Sequence, residues 1–123
     1  QGLSTAERIT NVLIEDINNG VSRRENNAHS NVYLAVRTND YVSASENISV
    51  DGMPEEFQVA WQRHMQAWRN HANYLNEKRF NREFNSNYDA VSSDQINEIN
   101  QTWWEVLRIA RVNGAKIPRN AYY

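Results

Sequence analysis

The sequence predicts an all-α protein, an up-down antiparallel bundle of three to four helices, and two observations carry this prediction. Apolar and aromatic residues recur at three- and four-residue steps, the periodicity of one helix face. The first long run comprises Phe57, Trp61, His64, Trp68, His71 and Leu75. The second comprises Ile96, Ile99, Trp103, Val106 and Ala110, widened by Leu107. We call these two runs the seam, and their alternating steps favour near-antiparallel packing at about 20°.

Length and composition predict one folded domain, 1–123. Hydrophobic residues make up 40% of the chain, too many for a disordered protein. The net charge of -2 provides no basic field for phosphates, so we expect no nucleic-acid partner. No apolar stretch of about eighteen residues occurs, so we expect no membrane span. Cysteine is absent, which excludes disulfides, thiolate metal sites and cysteine nucleophiles.

The chain begins with Gln1-Gly2, and its only methionines are Met53 and Met65. This start has two interpretations, a trimmed expression start or a mature exported protein whose signal peptide has been removed. Abundant asparagine and absent cysteine favour the second, a periplasmic or extracellular protein.

The first helix is expected to begin at Ser4, because Ser4 and Glu7 form a capping-box pattern. An apolar stripe follows, made by Ile9, Val12, Leu13 and Ile17. The run Asn18-Asn19-Gly20 then predicts a left-handed C-terminal cap. We therefore expect the helix to stop or bend at Gly20.

Beyond Gly20 the stripe resumes in phase, so a kinked continuous helix and two helices joined by a tight break both stay open. Its positions are Val21, Ala28, Val32, Ala35, Val36 and Val42. The β-propensity of Asn31 to Thr38 allows a strand there, but no partner strand is visible, so we expect helix on both sides of Gly20. From Ser43 to Met53 the pattern dissolves, which predicts a connection.

A second strong helix is expected to begin at Met53-Pro54-Glu55-Glu56. Proline suits the first turn of a helix, and carboxylates suit its positive end. The helix should reach at least Lys78, and no glycine or proline prevents it from reaching Phe84.

The third strong helix is expected to begin near Ser93. Ser92 and Gln95 have the spacing of a capping box. The pair Asn113-Gly114 predicts the end of this helix.

His64 and His71 are the most unusual seam residues, because the other positions of their run are large and apolar. Seven residues apart, they lie about 10 Å from each other, too far to bind one metal ion together. The Glu-x-x-His and His-Glu-x-x-His motifs are absent, so we predict no metal site and no cofactor. The favoured interpretation is that each imidazole fills space among aromatic rings and bonds to a polar side chain or water. A pH switch is the alternative.

Trp103 and Trp104 are adjacent, so they cannot both face the seam. Trp104, or Trp61 if the bundle is open at one end, is therefore a candidate for lining a groove. The favoured interpretation is that Trp104 packs under the loop from Asn85 to Ser92, against Tyr88 or Phe84. The candidate ligand-binding residues are His64, His71, Trp61, Trp68 and Trp104.

Lys78, Arg79 and Arg82 lie beside Phe80 and Phe84, a mixture of basic and aromatic residues that nucleic-acid platforms share. Neighbouring glutamates dilute the positive charge, and cations suit the negative end of a helix. We interpret this cluster as a solvated helix end.

Motifs for catalysis are missing, since the chain has no Gly-x-Ser-x-Gly elbow and only 4 glycines. We therefore predict no catalytic residues and a non-enzymatic domain that presents a helical face or an aromatic groove to another protein. The alternative is a small-ligand or metal/haem-binding bundle that uses the seam histidines. A hydrolase or transferase assembled across helices is a third interpretation, because side chains can converge without a local motif. The sequence does not predict the oligomeric state.

Overall fold

The computed structural model describes the backbone of residues 2–25 and 30–122 and the side chains of 2–21 and 30–122. These residues form four α-helices, and no β-strand occurs among them. The helices are α1 (Thr5–Glu25), α2 (Asn31–Glu46), α3 (Glu55–Lys78) and α4 (Ala90–Val112), followed by a short 3₁₀ helix (Arg119–Ala121). The predicted all-α bundle is confirmed.

Consecutive helices run in opposite directions. Between α3 and α4, His64 lies against Thr102 and His71 against Gln95, so residue numbers rise in one helix as they fall in the next. The same reversal relates α1 to α2 and α2 to α3. Since α1 also contacts α4 and the segment that follows it, the four helices close into an up-down arrangement.

Helix α1 begins with the predicted capping box. The Glu7 N–H donates to Ser4 Oγ at 3.1 Å, and the Ser4 N–H donates to Glu7 Oε1 at 3.0 Å. The helix does not stop at Gly20, so the predicted left-handed cap is wrong. Gly20 is buried, and Asn19 donates to Ser45 Oγ of α2 at 3.2 Å. Packing against α2 therefore outweighs the local preference of asparagine and glycine for a cap.

Helix α2 confirms helix rather than strand after residue 30, and it continues to Glu46, into the segment predicted as a connection. Of its predicted stripe, Ala35 and Val42 are buried, whereas Val32 and Val36 are exposed. Val21 lies within α1, and Ala28 lies outside the described residues. Thr38, Tyr41 and Ser45 complete the buried face. The predicted stripe was partly wrong because it continued the helical periodicity of α1 through residues 31–46. These residues form a separate helix, whose buried face is set by its own periodicity.

Helix α3 begins at Glu55, directly after Pro54, and ends at Lys78. The predicted minimum length, to Lys78, is confirmed. The helix does not extend to Phe84, because residues 79–84 are outside any helix and contain turns. Its acidic start and basic end both complement the helix dipole.

Helix α4 begins at Ala90, three residues earlier than Ser93. Asp89 is the N-cap, and its Oδ1 accepts the Ser92 N–H at 3.0 Å. The predicted capping box at Ser92 and Gln95 is wrong, because Ser92 is buried and Gln95 instead points across to His71 of α3.

The end of α4 at Asn113 is confirmed. Gly114 has φ +79°, a left-handed conformation, and its N–H donates to the Arg111 carbonyl at 2.9 Å. The Ala115 N–H donates to the Ala110 carbonyl at 2.9 Å. These two bonds form a Schellman motif, which satisfies the last carbonyls of the helix.

The seam is the centre of the core. All six of its α3 residues are at most 9% exposed, and on α4 only Ile96 is not buried. Ile96 is exposed because the neighbouring Gln95 faces α3 at this level. None of the described helices is long and apolar enough to cross a membrane.

Candidate functional site

The seam histidines are packed among aromatic rings. His64 lies between Trp61 and Trp103, with ring centroids at 6.1 and 5.2 Å. His71 lies 6.2 Å from Trp68, and each imidazole is 2% exposed. Trp61 and Trp68 are also buried, which leaves neither at an open end of the bundle.

Both imidazoles have polar partners on α4. His71 Nδ1 donates to Gln95 Oε1 at 2.7 Å, since an amide oxygen only accepts. His64 Nδ1 lies 2.8 Å from Thr102 Oγ1, which itself donates to the Ile99 carbonyl at 3.0 Å. With that hydroxyl proton committed, His64 Nδ1 is the donor. Burial lowers the pKa of His64 to about 3, so its imidazole is neutral near pH 7.

Four of the five predicted ligand-binding residues, His64, His71, Trp61 and Trp68, are therefore core side chains. They do not line the cavities of about 510, 450 and 160 Å³ found on the molecule. Among the described residues, no group of three or more histidine and carboxylate side chains is placed to hold a metal ion. Ligand binding at the seam stays a prediction.

Trp104, the fifth predicted residue, is 53% exposed. Its ring lies 5.8 Å from that of Tyr122, whose hydroxyl accepts from Arg111 at 2.7 Å. The expected contact with Tyr88 or Phe84 is wrong. Phe84 packs edge-on against Tyr74 instead. The 79–89 loop precedes α4 and the C-terminal tail follows it, so the two lie at opposite ends of this helix.

A site that the sequence did not predict lies at the end of the bundle formed by the start of α2 and the loop between α3 and α4. We call this cavity of about 510 Å³ the loop pocket. Its lining is Ser30, Asn31, Val32, Leu34, Arg79, Phe80, Asn81, Arg82, Phe84, Asn85, Ser86 and Asn87.

Asparagine side chains fix the shape of the loop pocket. Asn31 Nδ2 donates to the Asn81 and Phe84 carbonyls, at 2.9 and 3.1 Å, and so ties the loop to α2. Asn81 Oδ1 accepts the Glu83 N–H, and Asn85 Oδ1 accepts an N–H two residues later, both at 3.0 Å. Such local turns hold the loop in one conformation without burying apolar side chains.

The charge of the loop pocket is positive. Arg79 and Arg82 line it, and none of the described residues that line it is acidic. Arg79 donates to Asn76 Oδ1, and its guanidinium lies 4.9 Å from the centroid of the Phe80 ring. By contrast, the cavity of about 450 Å³ between α3 and α4 mixes two arginines with three glutamates.

The sequence shows the basic and aromatic cluster of this loop, but it does not show that the start of α2 forms the other side of the loop pocket. Asn31 and Asn81 are 50 residues apart, and only the fold brings them together. Lys78, the remaining cation of the cluster, lies over the Tyr74 ring at 5.6 Å. The asparagine-rich run at 81–87 was the available signal, because asparagine favours turns with fixed side-chain bonds.

Comparison of the chain with protein-family models, curated proteins and solved structures finds no match. The loop pocket and the seam are therefore interpreted from their own chemistry.

Proposed function

We propose that this chain is a protein-interaction domain that binds its partner through the loop pocket. One observation carries the proposal. Of the described large hydrophobic side chains, Tyr88 and Phe80 are the most exposed, at 87% and 75%. Phe80 lines the pocket, and Tyr88 follows the last lining residue, Asn87, in the same loop. Large apolar side chains left exposed on one surface loop are a feature of binding surfaces.

The composition of the site supports the same function. Aromatic residues and arginine are the side chains most enriched at the centres of protein interfaces. The bonds from Asn31 hold the loop before any partner arrives, which lowers the entropy lost on binding. Function on a loop that a rigid helical scaffold positions is also common.

The alternative, a small-ligand or metal/haem-binding bundle that uses the seam histidines, has weaker support. His64 and His71 are enclosed by tryptophan rings and bonded to α4. A ligand would have to displace core side chains to reach either imidazole, at a cost of several kcal/mol.

Photo-crosslinking tests the proposed function. A photoreactive phenylalanine derivative replaces Tyr88 in one form of the chain and Trp104, a comparably aromatic exposed residue, in the control. Incubated with lysate from the source cells, the Tyr88 form should give a discrete crosslinked product that the control lacks. Phe80→Ser should weaken the product, and Val112→Ser, which removes a side chain of similar exposure elsewhere (68% against 75%), should not. Equal products from both crosslinking positions, or none from Tyr88, would contradict the proposal.

A further inference from the structure

We infer that the partner presents an acidic segment, whose carboxylates bind Arg79 and Arg82 while a neighbouring apolar side chain packs on Phe80. This inference rests on the proposed function and adds the chemistry of the partner. It is supported by the charge of the described lining, by a comparison with Arg69 and Arg108, which do form ion pairs, and by the exposure of Phe80.

The lining of the loop pocket has the opposite sign to the whole chain. The chain has a net charge of -2, yet the described lining of the pocket contains two guanidinium groups and no carboxylate. Charge complementarity of this kind selects partners and speeds their association. An acidic segment fits, and a basic one would meet repulsion.

The arginines of the loop pocket also differ from those that the fold neutralises. Arg69 is paired with Glu46 at 2.6 Å, and Arg108 with Glu105 at 2.5 Å. Within the part of the chain that the structure describes, neither Arg79 nor Arg82 has a carboxylate within ion-pair distance. Guanidinium presents several donors in a planar fork that matches a carboxylate, so each group has donors that can bind one from a partner.

Phe80 adds an apolar requirement. The guanidinium of Arg79 lies 4.9 Å from the centroid of the Phe80 ring, yet the Phe80 side chain remains 75% exposed. A segment that places a carboxylate on Arg79 therefore lies beside a ring that is still largely exposed. Burying that ring favours a partner residue that is apolar and adjacent to the acidic ones.

Nucleic acid is the competing anion, and the local charges disfavour it. Glu77 and Glu83 are exposed on either side of the two arginines in the sequence. A continuous polyanion would extend past the pocket to these carboxylates and be repelled, because its affinity depends on many phosphate contacts. A short acidic segment can avoid them.

Fluorescence anisotropy with defined probes tests the inference. The probes are a labelled peptide of alternating glutamate and leucine, its counterpart with glutamine for glutamate, and a single-stranded oligonucleotide of the same net charge. The acidic peptide should bind roughly tenfold or more tightly than the glutamine peptide, and added salt should reduce the difference. The double variant Arg79→Gln, Arg82→Gln should bind both peptides equally.

The matched control is Arg63→Gln, Arg108→Gln, which removes two arginines from the cavity that also contains glutamates. It should bind the acidic peptide as the parent does. Equal binding of both peptides by the parent, equal loss in both double variants, or preference for the oligonucleotide would overturn the inference.

The photo-crosslink separates this inference from the proposed function. A Tyr88 product that keeps its full yield in the Arg79→Gln, Arg82→Gln variant would overturn the acidic partner and leave the proposed function standing. Absence of a Tyr88 product in the parent chain would overturn the proposed function itself.

Discussion

The seam and the loop pocket contain similar side chains in opposite environments. In the seam, His64 and Trp61 are at most 3% exposed, and the imidazole has a partner on α4. In the loop that lines the pocket, Phe80 and Tyr88 are largely exposed, and Arg82 has no described ion-pair partner. The presence of aromatic and titratable residues therefore does not by itself distinguish a binding surface from a packed core in this chain. Exposure and unfilled bonding capacity distinguish the two regions.

The largest expected difference between the regions is in packing energy. Phe57 is 0% exposed and Phe80 is 75% exposed. Phe57→Ala should lower the free energy of unfolding by about 3 to 5 kcal/mol, because it leaves a cavity in the core. Phe80→Ala should change it by less than about 0.5 kcal/mol. Urea denaturation of the two variants measures this, and similar losses would show that Phe80 is a core residue.

The next effect is the response of the seam to acid. The pKa of His64 is about 3 in the folded chain and 6.5 as a reference value, so the unfolded chain binds the proton first as pH falls. The stability that the neutral imidazole contributes is complete above pH 6.5 and is lost towards pH 3. Between pH 6.5 and 4.5 the loss should be about 2 to 3 kcal/mol.

His64→Gln is the control for this acid response, because it keeps a polar side chain but removes the titrating group. The difference in unfolding free energy between parent and variant should shift with pH below 6.5 and stay constant above it. If the unfolding free energies of parent and variant change in parallel from pH 7.5 to 4.5, His64 is not a neutral, buried imidazole, and the description of the seam given above is wrong.

A smaller effect concerns the hydrogen bonds that hold each region. Thr102→Val keeps the shape of the side chain but removes the acceptor of His64 Nδ1, so it should cost roughly 1 to 3 kcal/mol. Asn31→Ala removes the two hydrogen bonds from α2 to the loop. These bonds lie near the surface, so the free energy of unfolding should fall by less than about 1 kcal/mol. Thermal melts measure both changes, and the reverse order would mean that the loop contributes more to stability than the seam.

The smallest effect should come from Ser92. It is 1% exposed, and its hydroxyl has no hydrogen-bond partner among the residues that the structure describes. Ser92→Ala removes an unpaired buried polar group, so it should leave stability unchanged or raise it by up to about 1 kcal/mol. A loss above that size in calorimetry would reveal a bond that the described contacts do not include.

Local sequence signals predicted those parts of the fold in which one short segment decides the outcome. Ser4 with Glu7, Pro54, and the pair Asn113-Gly114 each mark a real helix boundary. The α3 stripe predicted the buried face because six positions agree on one phase. The predicted cap at Gly20 was wrong because the helix continues past this buried residue, a tertiary effect that local preference does not contain.

The candidate site was harder to predict, for the same physical reason. His64 and His71 attracted attention as polar residues in an apolar stripe, but Thr102 and Gln95, which satisfy them, come from another helix. The loop pocket requires Asn31 and the loop together, and no spacing within the chain indicates that contact. Which polar groups are satisfied is thus decided by pairs distant in sequence.

Amide hydrogen exchange of the chain, alone and bound to the partner captured through Tyr88, tests most directly that binding occurs at the loop pocket and not at the seam. Exchange should slow at 30–34 and 79–88 on binding, while the amides around Trp104 and Tyr122 keep their rates. Protection confined to the α4 surface at Trp104, with no change in the loop, would contradict this account.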